Sequence, residues 1–311
     1  MKLFDLHQDL MLHMIAREKY GQNEQTSWAL LESSGVDLLV ATAFPDPVSG
    51  DQTDPVVNGL ITTDITRYTD FVAHNTNRWQ VVHTALDITS SKKKLVLHIE
   101  GLNALEPSAT SEQLTTWYDL GVRSIAPWWN IDNALGGGTN SPTSGLTSLG
   151  QEVVQWIETN KCILDLAHAG RQTFSDVAKI TTRPLYISHG NADTVCPSVR
   201  NYTDEQLRLI AETDGVIGVF FPATFTIGAG MTGTVFDVVR HIIYIRDLVG
   251  VRHIAIGSDF GGIVSGTLEG LVSVSDFPTL ITALSSVGFT DDDIEAICVT
   301  NAKRILFAHL S

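Results

Sequence analysis

Eight short runs rich in apolar and β-branched residues recur along the chain, and segments with helical spacing separate them. The runs fall at 4–10, 36–44, 95–101, 122–126, 162–166, 184–188, 216–220 and 253–257. Helices are predicted over 27–34, 54–79, 111–120, 148–159, 171–179, 204–213, 235–249 and from 276 onward. Asp291, Asp292 and Asp293 crowd a helix N-terminus, where the backbone dipole favours negative charge. The second run is apolar throughout and ends in a Pro45-Asp46-Pro47 turn; such a run suits a strand buried on both faces. Strand–helix alternation implies a parallel sheet, and eight units imply a closed (β/α)8 TIM barrel of the α/β class. No linker or composition shift divides the chain, so one catalytic domain over 1–311 is expected.

The first run, Phe4-Asp5-Leu6-His7-Gln8-Asp9-Leu10, alternates strictly, which puts Asp5, His7 and Asp9 on one strand face. Three ionisable groups there are costly to bury unless a metal, a hydrogen-bond network or water compensates them. His7 and Asp9 offer one imidazole nitrogen and one carboxylate oxygen to a divalent ion, but taken alone the pattern is more simply an edge strand with a wet polar face. The other strand ends decide between the two. Glu100 ends the third run, His168 follows the fifth, His189 ends the sixth and Asp259 ends the eighth. In a closed parallel barrel those ends converge on one face, so three histidines and three carboxylates there point to a metal centre. His98 shares the strand face of Glu100 one layer deeper and reads as lying behind the ligands; Asp5 is placed likewise, orienting them. None of the remaining histidines is assigned to the site.

A formal charge of −15 argues against a nucleic-acid partner, because the one cationic run, Lys92-Lys93-Lys94, is short and reads as a solvated loop. The three cysteines, Cys162, Cys196 and Cys298, are widely spaced, which suggests neither a disulfide framework nor a thiolate metal site. Cys162 and Cys298 sit in apolar segments and read as small buried side chains. No apolar run is long enough to span a bilayer, and acidic residues interrupt the N-terminus where a leader would be apolar. A cytoplasmic protein with no membrane partner is the expectation.

Taken together the motifs resemble those of the membrane dipeptidase family (renal dipeptidase, peptidase M19) of the amidohydrolase superfamily, nearly end to end. Asp5-Leu6-His7-Gln8-Asp9-Leu10 is similar to its Asp-Gly-His-Asn-Asp-Leu opening, Ile99-Glu100-Gly101 to its Ile-Glu-Gly, and Leu120-Gly121-Val122-Arg123 to its Leu-Gly-Val-Arg. Asp165-Leu166-Ala167-His168 resembles its Asp-Leu-Ser-His, Ser188-His189 its Ser-His, and Arg200-Asn201 with Asp204 its Arg-Asn-x-x-Asp. Gly257-Ser258-Asp259-Phe260-Gly261-Gly262 resembles its Gly-Gly-Asp-Phe-Asp-Gly, and Asn301-Ala302-Lys303-Arg304-Ile305-Leu306 its Asn-Leu-Leu-Arg-Val. The resemblance implies two divalent ions, most simply Zn2+, with His7, Asp9 and Glu100 holding one and Glu100, His168 and His189 the other. It implies that Arg200 binds a substrate carboxylate, that Asp259 moves protons, and that the protein forms a homodimer.

Two positions depart from the pattern. Where many members carry a His in a Thr-His-Asn context, thought to polarise the scissile carbonyl, this chain has Trp128-Trp129-Asn130. Trp129 and Asn130 are therefore expected at the substrate, with Asn130 or Asn133 donating the missing hydrogen bond. Gly261 replaces the second Asp of Asp-Phe-Asp-Gly and is expected to reshape the rim. The expected activity is zinc-dependent hydrolysis of dipeptides, L,D substrates among them. A second reading keeps the metal centre but takes an N-acyl amino acid, lactone or cyclic amide. A third, a non-catalytic barrel, predicts missing ligands, and all are present.

Overall fold

The strand-forming runs become nine strands in the computed structural model, which describes residues 1–14, 24–44, 56–264 and 266–311. They are β1 (Leu3–Gln8), β2 (Val36–Ala43), β3 (Trp79–Val81), β4 (Lys93–Glu100), β5 (Val122–Ala126), β6 (Ile163–Leu164), β7 (Tyr186–Gly190), β8 (Val216–Val219) and β9 (Ile254–Ile256). Helices separate most of them, including Val56–His74, Thr110–Asp119, Ser148–Thr159, Arg171–Ile180, Asp204–Glu212 and Val235–Val249. The predicted Pro45-Asp46-Pro47 turn and the first two residues of the predicted 54–79 helix lie outside the described residues.

Two compact units make up the chain, one of Met1–Leu39 with Ile187–Ile305, the other of Val40–Tyr186 with Leu306–Ser311. In the first, β1 pairs β9 and β9 pairs β8, both parallel, in the registers Asp5↔Ile256 and Val219↔Ile256; β7 follows β8. Its core includes Phe221, Phe260 and Phe277, whose rings meet edge to face at 5.5–6.2 Å, the arrangement the aromatic quadrupole favours. In the second, the order is β6-β5-β4, with β3 also on β4 and Glu100 beside Ala126. Trp79, Trp117, Trp128 and Phe174 fill its core.

Two expectations fail in the second unit. Trp79 is not helical: the helix ends at His74, the Arg78 guanidinium donates to Asn75 Oδ1, and Trp79-Gln80-Val81 extends beside Lys93-Lys94-Leu95. The lysine run is not a solvated loop either, since Lys93 and Lys94 open β4 and Lys94 is 1 % exposed. Strand pairing with β3 covers this stretch, and Lys93 lies over the Trp79 ring at 5.7 Å. The cysteine reading holds: all three thiols are free and buried, and burial pushes Cys162 and Cys298 up to about 12. No helix among the described residues is long and apolar enough to cross a membrane.

Two buried histidines tie the fold to pH. His241 accepts the Ala192 N–H at Nδ1 and donates from Nε2 to Thr226 O, while His309 meets Pro184 O. Burial lowers both imidazoles to about 4, so both are neutral in the fold at pH 7. Below the ordinary histidine range the unfolded chain takes protons that the fold refuses, so stability is full above about pH 6.5 and is lost as pH falls toward 4. Each histidine contributes roughly 3 kcal/mol of that dependence. Asp64, which burial raises to about 6, opposes it, so the contribution is read from a difference. His241→Gln keeps an acceptor and a donor but does not titrate. Urea unfolding at pH 7.5 and pH 5 is expected to give a smaller loss for this variant than for the wild type; equal losses would count against a buried neutral His241.

Candidate metal centre

β1 is buried along its whole length and seats His7 near its end and Asp9 just past it, both buried. His7 Nε2 lies 3.5 Å from Asp9 Oδ2 and 3.8 Å from Asp259 Oδ1. One donor atom from each of the three falls within 4.8 Å of the others, a spacing that fits one shared cation. Asp259 reaches this position through a left-handed backbone, φ 64°, with its N–H on His7 O at 3.1 Å. A non-glycine residue held there stores strain of the kind that collects at functional sites. Gly262 completes the cradle, because a Cβ on it would come 2.7 Å from Asp259 Oδ1 and would strike Asp9 Oδ2.

Around this cluster each side chain has a holder. Asp5 Oδ1 accepts the Ser258 N–H at 2.8 Å, and its Oδ2 accepts from Ser258 Oγ and Gln8 Nε2, both at 2.6 Å. It thus joins β1 to the turn carrying Asp259, and burial raises its pKa. The His189 ring lies 3.8 Å from the His7 ring, tilted by 32°, and its Nδ1 meets Ser188 Oγ at 2.8 Å, which leaves Nε2 as the nitrogen for an ion. Arg200 is buried over the Phe220 ring at 5.1 Å, with Nη2 donating to His189 O; its buried Nη1 has no hydrogen-bond partner among the described residues. Asn191, Asn201 and His241 hold the loop that carries it. Asn191 and His241 carry no spacing signal and escape sequence reasoning.

The second unit carries Glu100 and His168. Glu100 ends β4, and His168, at φ 63°, brings Nε2 to 3.0 Å from Glu100 Oε1. The Nδ1 of His168 meets Asn130 Oδ1 at 2.9 Å, and Thr139 Oγ1 donates to His168 O. Asp165 Oδ1 accepts the Ala167 N–H, shaping the turn before His168. His98 sits behind, as expected, with Nδ1 on Ser124 Oγ at 2.9 Å and Nε2 3.7 Å from Asp165 Oδ2.

The two departures acquire physical reasons. Asn133 is not a substrate donor: its amide binds Pro127 O and Asn103, and its Oδ1 takes the Leu135 N–H. Asn130 commits its oxygen to His168, whereas Trp129 is half-buried between the rings of Phe44 and His168. Gly261 is no trimmed rim residue. At φ 95° it packs on the Asp9 backbone, where a Cβ would come 2.8 Å from Asp9 C and 3.1 Å from His13 Cβ.

The donors in both clusters are imidazole nitrogens and carboxylate oxygens, a set suited to zinc-like divalent ions. A sequence profile of the membrane dipeptidase family (peptidase family M19) matches residues 1–309. An uncharacterised Klebsiella pneumoniae protein from the pqqA 5' region is 34% identical over 249 residues, 76% of this chain and 90% of its own length. The Aspergillus oryzae dipeptidase aclJ is 32% identical over 215 residues, 68% of this chain but 50% of its own, so this chain matches about half of that relative. In structure, the chain is similar to a Rhodobacter sphaeroides metallopeptidase liganded with a phosphinate mimic of the dipeptide L-Ala-D-Ala. The TM-score is 0.88 at 24% identity, with 99% of each chain covered. That likeness gives the fold, a TIM-barrel-type α/β fold. With a profile match spanning all but its last two residues, the chain belongs to the membrane dipeptidase family, peptidase family M19, and is a metal-dependent hydrolase.

Proposed function

We propose that this hydrolase cleaves the amide bond of dipeptides at a pair of zinc ions, with 1–311 acting as one catalytic domain. His7 and Asp9 with Glu100 would hold one ion, and Glu100 with His168 and His189 the other, following the order of the family's motifs. The observation that carries this reading is the donor geometry within each unit. Buried carboxylates lie at ion-sharing distance from His7 Nε2 and His168 Nε2. Second partners fix which ring nitrogen points outward on His168 and His189. When bound, such ions acidify a water to hydroxide near neutral pH and polarise a carbonyl.

The chain's own groups supply the rest. Asp259, with a side chain 16 % exposed, accepts the proton of the attacking water and returns it to the leaving amine. Arg200, anchored through Nη2, offers Nη1 to the C-terminal carboxylate, which selects short peptides over long ones. The L-Ala-D-Ala mimic on the Rhodobacter sphaeroides relative supports a dipeptide substrate, L,D substrates included. The three free buried thiols suit a reducing cytoplasm, and a homodimer follows from the family resemblance.

The test is hydrolysis of L,L and L,D dipeptides by zinc-loaded protein. Arg200→Ala is expected to lower kcat/KM roughly a hundredfold, the worth of one charge-assisted pair. No cleavage of any dipeptide would overturn the reading. Turnover of lactones or cyclic amides that survives Arg200→Ala would replace it with another amidohydrolase activity.

A further inference from the structure

We infer that Trp129, with Phe44, forms a rigid apolar wall beside His168 that makes the enzyme select dipeptides carrying a bulky apolar or aromatic side chain. The inference rests on the dipeptide reading above and names the substrate class within it.

The wall is fixed through its backbone. Trp129 O accepts the Thr139 N–H at 3.1 Å, and Asn130 O accepts the Asn140 N–H at 3.0 Å. Gly138 lies so close beneath that a Cβ on it would strike Trp129 O and Ile131 O. The side chain is confined as well. Its ring lies 5.2 Å from the buried Phe44 ring at 47° and 6.4 Å from the His168 ring at 35°. Its Cβ stands over Gly101, next to Glu100, where a Cβ would be only 3.2 Å away. Held on these sides but half-buried, the indole keeps part of its surface uncovered in the neighbourhood of His168 and Gly101.

Chemistry then limits what that surface does. An indole carries no charge at working pH and has one N–H donor and no acceptor, so it brings no imidazolium to a carbonyl oxygen. It does bring a large flat apolar face at little cost in conformational entropy. A substrate side chain of matching size gains by leaving water against it; a glycine or alanine side chain does not.

The experiment uses the zinc-loaded full chain with two substrate series, X-Ala and Ala-X, where X is Gly, Ala, Leu or Phe. The wild type, Trp129→Ala and Trp129→Phe are compared. Binding of phosphinate dipeptide mimics with phenylalanine or alanine side chains, measured by calorimetry, gives a readout independent of turnover. In one series the wild type is expected to prefer Phe and Leu over Gly by at least about tenfold in kcat/KM, the discrimination an apolar pocket supplies. Trp129→Ala should erase most of that ratio and most of the affinity difference between the mimics, and Trp129→Phe should keep both. A wild type that cleaves dipeptides without regard to X, or a Trp129→Ala variant slowed equally on every substrate, overturns the wall while leaving the dipeptide reading intact. A wild type that cleaves no dipeptide overturns both.

Discussion

Glu100→Gln is expected to remove at least one equivalent of bound metal and to lower kcat by a thousandfold or more, well beyond the roughly 10–100-fold cost of altering a residue behind a ligand. Glutamine keeps the length and shape of the side chain, so the change falls on charge and donor type. Glu100 Oε1 lies 3.0 Å from His168 Nε2 at a buried position. Two such atoms stay that close by sharing a proton or an ion. The Asn130 contact at Nδ1 accounts for one proton of the ring, which leaves Nε2 a lone pair for an ion. Replacing one carboxylate oxygen by an amide N–H2 removes the side chain's negative charge and sets a donor where an ion needs an acceptor. His98→Gln is the contrasting variant. His98 touches Ser124 and faces Asp165, so it should weaken metal binding only within that 10–100-fold range. Metal content by elemental analysis, with circular dichroism to check folding, separates the two. A Glu100→Gln protein with full metal and near-normal turnover would refute the assignment of Glu100 as a ligand.

The first-unit cluster and the Glu100–His168 pair can both be picked out as candidates from the sequence. His7, Asp9, Glu100, His168, His189 and Asp259 are legible because an apolar run that stops at an ionisable residue marks where a strand leaves the core, and in an α/β fold that is where ligands bind. Asp5 is legible for the same reason in reverse: a carboxylate deep in an apolar run must be satisfied, and Ser258 and Gln8 satisfy it. What the pattern hides depends on contacts distant in sequence. Trp79-Gln80-Val81 is too short to register as a strand until Lys93-Lys94-Leu95 lies beside it, and that pairing also buries Lys94 against its composition. Asn130 is visible as a residue near the site, but its bond to His168, made through Oδ1, spans 38 positions and cannot be read from spacing. Gly261 looks like a lost carboxylate until its backbone is found against Asp9, where no side chain fits.

Asp259→Asn is expected to reduce kcat by about 10²–10⁴ with bound metal and KM nearly unchanged, the loss typical of removing a general acid–base group. Two roles compete for this residue, and the geometry permits both. Its Oδ1 lies within 4.8 Å of donor atoms on His7 and Asp9, close enough to join an ion's ligands, and also at the distance from which a carboxylate reaches a water on that ion. The strained backbone at φ 64° and the missing Cβ at Gly262 hold it there rather than let it withdraw. Asparagine still offers a carbonyl oxygen to a cation but cannot accept and release a proton at neutral pH. If Asp259 moves the proton, the variant keeps its metal and loses turnover, and the acidic limb of the pH–rate profile that reports a carboxylate disappears with it. If Asp259 is a ligand first, metal is lost in step with activity and added zinc restores part of both. A variant that retains the acidic limb and most of its kcat would show that another group handles the proton, and would return Asp259 to the role of a holder for His7, whose carbonyl accepts its backbone N–H.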